Sequence, residues 1–100
     1  MLPADDRPLL VFFTSRRSGP ARRMESLLAH IARKERLRLR VTIVDVDDKP
    51  ELAERFRVGT VPTLVLVKGK RAVARLEGRA SAPRIERMVE PHLEPELVAA

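Results

Sequence analysis

Five consecutive apolar residues, Leu9-Leu10-Val11-Phe12-Phe13, run into Thr14 and then into a polar turn, Ser15-Arg16-Arg17-Ser18-Gly19-Pro20. A short apolar run containing Val and Phe fits a strand buried on both faces. After the turn the period changes. Met24, Leu27, Leu28, Ile31 and Ala32 recur at helical spacing, with Arg22, Arg23, Glu25 and Ser26 largely off that stripe. Ser18 stands where a side-chain cap belongs and Pro20 where a missing N–H is harmless. The pattern therefore predicts one helix from this point to about Glu35 or Arg36.

Residues 39–46 are β-branched and begin with alternation, which predicts a second strand ended by Asp47-Asp48-Lys49-Pro50. Residues 50–56 predict a short helix with Leu52, Ala53 and Phe56 facing inward. Gly59 and Pro62 mark residues 58–62 as a loop. Residues 63–67 predict a third strand, Lys68-Gly69-Lys70 a hairpin turn, and residues 71–77 an edge strand. In that strand Ala72, Ala74 and Leu76 are expected on the face opposite Val73 and Arg75. After Gly78, Ser81 caps a last helix that buries Ile85, Met88, Val89 and Leu93.

The order β-α-β-α-β-β-α implies an α/β fold. Two strands joined through a long helix should be parallel with a right-handed crossover, and the later pair should form a hairpin. The expected architecture is a four-stranded mixed sheet with helices on both faces. At 100 residues and 44% hydrophobic the chain has material for one core, here assigned to residues 9–93. Residues 1–8 read as an N-terminal segment and residues 94–100 as a mobile tail.

The cysteine count changes the picture most. It is zero, which excludes protein disulfides, thiolate nucleophiles, thiolate-held iron–sulfur clusters and Cys-type zinc sites. The apolar runs are too short to span a bilayer, so no membrane partner is expected. The first residues do not read as a signal peptide, which makes the cytoplasm the expected location. The net charge of +6 and a pI near 11.0 favour acidic partners, although acids punctuate most of the chain.

Four segments resemble the thioredoxin family. Ser18-Gly19-Pro20-Ala21, after a strand and before a helix, resembles that family's Cys-Gly-Pro-Cys motif with both cysteines replaced. Val58-Gly59-Thr60-Val61-Pro62-Thr63-Leu64 resembles its cis-proline loop, and Val44-Asp45-Val46-Asp47 with Pro50-Glu51-Leu52-Ala53 its strand-to-short-helix step. The closing hairpin, Gly78 and final helix also match in order. The resemblance covers residues 8–93 and begins after the first strand and helix of full-length thioredoxins. It implies a thioredoxin-like fold, a cis bond before Pro62, and a shallow groove between the motif and the cis-proline loop.

The departures form a set. Ser18 and Ala21 stand at the two cysteine positions. By the same resemblance, Phe12 occupies the place of the family's buried aspartate, Ile43 that of its lysine partner, and Thr14 and Arg17 those of the flanking tryptophans. A serine hydroxyl without a base is a poor nucleophile, and no base lies near Ser18 in the local sequence. The expected function is a redox-inactive module, not an enzyme and without a cofactor, that binds a protein or peptide, acidic ones included. Its groove residues would be Arg17, Ser18, Gly19, Pro20, Ala21, Thr60, Val61 and Pro62. A structural role for the same loop stays open, as does an oxidoreductase in degenerate or cysteine-substituted form.

Arg16, Arg17, Arg22 and Arg23 surround the first helix start. They read either as an anion site or as four solvated cations partly paired with acids. Nucleic acid is the competing partner. The charge permits it, but aromatics are 3% of the chain with no Trp or Tyr, which leaves few platforms for bases. No metal site is expected: Asp45, Asp47 and Asp48 are too few for a calcium loop, and His30 and His92 have no ligand spacing.

Overall fold

The computed structural model describes residues 6–95. The sheet has strand order β2-β1-β3-β4. Strand β1 (Leu9–Thr14) pairs parallel with β2 (Arg40–Asp45) and antiparallel with β3 (Thr63–Lys68), which pairs antiparallel with β4 (Arg71–Glu77). The expected mixed sheet is therefore present. Strand β1 is central, and five of its six residues are buried, as its uninterrupted apolar run requires.

Alternation along β1 divides the core. Leu10 and Phe12, with Leu64 and Leu66 of β3, face Ala21, Met24, Leu28, Ile31, Ile85 and Val89 of the helices on one side. Val11, Phe13, Val44 and Val65 face the other side, where Leu52 and Phe56 cover them. The Phe13 and Phe56 rings meet at a centroid distance of 5.7 Å and a tilt of 54°, a favourable aromatic arrangement. Each fully buried Leu, Ile or Phe contributes roughly 1.5–3 kcal/mol, against ~0–1 kcal/mol for an exposed ion pair, so these two clusters dominate stability.

The predicted first helix is two helices, α1 (Gly19–Arg23) and α2 (Glu25–Lys34). The break is a single tightened turn. The Met24 N–H donates to the Ala21 carbonyl at 3.0 Å, and the ordinary four-residue spacing resumes with Leu28 N–H on Met24. Met24 stays 5% exposed through this step, so the apolar stripe predicted from its spacing still reaches the core. The Ser18 hydroxyl accepts from the Ala21 N–H at 3.2 Å, as the cap pattern requires.

Helix α3 (Pro50–Arg55) ends in a reciprocal pair of backbone bonds, Val58 N–H to Ala53 and Arg57 N–H to Glu54. That closure places Arg57 at φ 55°, a position glycine usually fills. The predicted alternation of β4 fails at one point. Leu66 pairs with Ala74 but Val67 pairs with Ala72, so Val73 is an extra residue in a bulge. Ala72 consequently leaves the face of Ala74 and Leu76. Helix α4 (Ala82–Val89) carries the Ser81 cap and buries Ile85 and Val89, whereas Met88 and Leu93 are half-buried against the same cluster.

Residues 96–100 of the predicted tail lie outside the described residues, as do residues 1–5. The start of that tail is held, because Arg38 donates to the Glu94 carbonyl at 3.2 Å. No helix among the described residues is long and apolar enough to cross a membrane.

Candidate functional site

Parallel pairing puts the C-terminal ends of β1 and β2 side by side, with Thr14 opposite Asp45. The loops that follow these strands therefore meet. One carries Ser15, Arg16, Arg17 and the Ser18-Gly19-Pro20-Ala21 segment, and the other carries Asp47 and Asp48. Ser15, 5% exposed, donates its hydroxyl to Asp47 Oδ2 at 2.7 Å and accepts from the Arg17 N–H at 3.2 Å. Arg17 Nη2 donates to Asp47 Oδ1 at 2.6 Å. Arg16 reaches Asp48 at 3.0 Å and Asp45 at 3.6 Å. Asp45 also accepts from the Asp47 N–H at 2.8 Å, which shapes its loop.

This network perturbs its members. The Ser15 hydroxyl, and then the Arg17 guanidinium, hold the Asp47 carboxyl below the usual carboxylate range. The Asp47 hydrogen bond and charge raise Arg17. The four arginines around the first helix start are not equivalent in this arrangement. Arg16 and Arg17 are engaged by carboxylates across the loop, and the Arg23 guanidinium lies alongside Gly19. Of these four, Arg22 and Arg23 are exposed and have no ion pair among the described residues, on a helix of five residues.

The loop before β3 closes the site. The Val61–Pro62 peptide bond is cis, as the resemblance implied. Pro62 is buried, and its carbonyl accepts from Gly78 N–H at 2.8 Å. Thr63 Oγ1 donates to the Thr60 carbonyl at 2.8 Å. The N–H and C=O of Val61, between these anchored groups, have no hydrogen-bond partner among the described residues. Val61 lines a shallow pocket of about 200 Å³ together with Thr60, Gly59, Val58, Val46, Asp47, Ser15 and Arg17.

Of the residues expected in the groove, Arg17, Thr60 and Val61 are thus brought together. Ser18 is half-buried with its hydroxyl committed to the cap, Ala21 is fully buried, and Gly19 is exposed. Pro20 lines a separate open hollow with Arg23, Met24 and Leu27 against Arg79, Ala80 and Ser81. Sequence reasoning missed Ser15, Val46, Asp47, Val58 and Gly59 as pocket residues. The signal available was opposite charge in two loops, and it acquires meaning only once β1 and β2 are neighbours. Thr14 Oγ1, at the end of β1, is buried without a hydrogen-bond partner among the described residues.

The positions matched to the family's buried acid and its lysine partner are also neighbours. Phe12 sits opposite Ile43 in the parallel register, fully buried, while Ile43 is 50% exposed at the sheet edge. No group of three or more His, Asp or Glu side chains among the described residues is placed to hold a metal ion.

A strand–turn–helix unit capped by Ser18, facing a cis-proline loop across the end of a mixed sheet, defines a thioredoxin-fold domain without thiols. The thioredoxin family model matches residues 1–91, and the chain belongs to that family. It is 35% identical over 81 residues to a thioredoxin of Alicyclobacillus acidocaldarius, covering 81% of this chain and 77% of that one. It is 36% identical over 75 residues to the bifunctional thioredoxin reductase/thioredoxin of Mycobacterium leprae, spanning 75% of this chain but 16% of that longer protein. Among solved structures, the germline-specific thioredoxin Deadhead of Drosophila melanogaster superposes with a TM-score of 0.81 at 32% identity, covering 87% of this chain and 82% of that one.

Proposed function

We propose that this domain is a redox-inactive member of the thioredoxin family that binds an extended segment of a protein or peptide at the end of its sheet, in the cytoplasm. The observation that carries the reading is Val61. Its N–H and C=O are unpartnered at the rim of a pocket, and both neighbouring carbonyls are anchored. A partner strand would supply the two missing backbone bonds, as in edge-strand recognition. The pocket would receive one side chain, with Arg17 and Thr60 at its polar rim. No covalent step belongs to this reading, because Ser18 and Ala21 offer no thiol and the Ser18 hydroxyl is held as a helix cap.

Two measurements test it. In an insulin-reduction assay with dithiothreitol, the protein is expected to leave the rate at that of the buffer; catalysed reduction would overturn the redox-inactive part. For binding, the purified domain and a Pro62→Ala/Arg17→Glu variant serve as parallel baits in native lysate. A partner retained by the first and lost by the folded second, with slowed amide exchange at Val61 in the complex, is the expected result. Capture unaffected by the variant would place the working surface elsewhere.

A further inference from the structure

A cavity larger than either hollow at the motif lies elsewhere. It is a cleft of about 660 Å³ between the turn that ends α2 and the chain at Glu94 and Pro95. It lies at the opposite end of the sheet, where Leu9 pairs with Arg40, whereas the motif lies where Thr14 pairs with Asp45. A six-residue strand separates the two ends by roughly 17–20 Å. Leu37 lines the cleft and is 77% exposed, the most exposed large apolar side chain among the described residues.

The cations around Leu37 fall into two groups. Lys34 and Arg38 are held by Glu86, Glu35 and Glu90. Arg33 and Arg36 line the same cleft, are exposed, and have no ion pair among the described residues. The cleft thus offers one uncovered leucine together with two guanidinium groups that have no ion pair among the described residues, Glu35 and Glu94 being the acids in its lining. We infer that this cleft is a second docking site, whose occupant is an acidic peptide segment carrying an aliphatic side chain: the aliphatic group covers Leu37 and flanking carboxylates meet Arg33 and Arg36.

The chemistry favours this occupant over other anions. A nucleic acid would supply phosphates, but the three phenylalanines all sit in the core clusters, leaving no aromatic surface here on which a base could stack. A flat bilayer surface does not follow the walls of a cleft. Carboxylates suit guanidinium forks, and an apolar side chain removes Leu37 from water.

The test uses the full chain and fluorescence anisotropy. The probe is a labelled octapeptide with two central leucines flanked on both sides by Glu and Asp; a matched peptide carries serines instead of the leucines. Saturable binding of the first is expected, at least about tenfold weaker for the serine peptide and for an Arg33→Glu/Arg36→Glu variant. An Arg17→Glu variant should bind as tightly as the parent, which separates this site from the groove at Val61. Leu37→Ser, with an unchanged thermal melt, should weaken binding similarly without altering charge. Absence of saturable binding, equal binding of both peptides, indifference to charge reversal, or tighter binding of a single-stranded oligonucleotide of matched charge would each overturn the inference.

Discussion

Arg17 Nη2 and Asp47 Oδ1 lie 2.6 Å apart across two loops separated by thirty residues of chain. With the Ser15 hydroxyl on the other carboxylate oxygen, this pair fastens the segment that carries the thioredoxin motif to the loop after β2. The surface beside the Ser18–Ala21 segment is thus organised by charge.

The first prediction concerns acid. Asp47 is held below its ordinary pKa, first by the Ser15 hydroxyl and then by Arg17. A carboxyl depressed in the folded state contributes stability that is complete above its unfolded pKa of about 3.9 and is lost as pH falls through the folded value. Arg17, raised in the fold, would lose its contribution only as pH rises beyond the guanidinium range. Thermal melts at pH 7 and pH 3 should therefore show a smaller acid-induced drop for Asp47→Asn than for the parent. An equal drop would remove Asp47 from the acid response.

A second prediction concerns the buried pair position. Phe12→Asp places a carboxyl where a fully buried phenyl stood and should cost at least about 3 kcal/mol in urea denaturation. Adding Ile43→Lys should recover only part of that loss, because position 43 is half exposed at the sheet edge. Full recovery in the double-mutant cycle would show that the site still accommodates a buried ion pair.

Arg57 gives a prediction of the opposite sign. At φ 55° it occupies a left-handed position, and α3 closes through its N–H. Arg57→Gly should stabilise the fold by roughly 0.5–1 kcal/mol, read from the urea midpoint at unchanged slope. The Arg57 carbonyl, which accepts from Arg75 at 2.6 Å, is retained in that variant.

Restoring both thiols tests the motif directly. The double variant Ser18→Cys/Ala21→Cys should show measurable insulin reduction where the parent shows none. The thiol at position 18 should titrate below the ordinary ~8.5 of a free thiol, because it lies at a helix start. It should also melt lower, since loss of the Ser18 cap costs about 1 kcal/mol. A thiol at position 18 that titrates at or above the free value would show that this short helix start does not activate it.

The sequence by itself determined the absence of thiol chemistry, because no arrangement of a chain without cysteine creates a thiolate. It also determined the element order. The apolar run 9–13, the helical stripe from Met24 to Ala32, the caps Ser18 and Ser81 and the hairpin at Gly69 are local features, governed by period and backbone preference. The matched motifs carried the cis bond before Pro62 as well. Tertiary structure alone decided the rest. The turn at Met24 and the bulge at Val73 are not marked in the apolar spacing of the sequence and show only in the backbone hydrogen bonds and strand register. The pairing of Arg16 and Arg17 with the aspartates after β2 depends on two strands lying side by side and parallel. The pocket at Val61 and the cleft beside Leu37 likewise have walls that come from segments far apart in the chain. Local propensity acts within a few residues, whereas a site exists only where packing brings distant segments together.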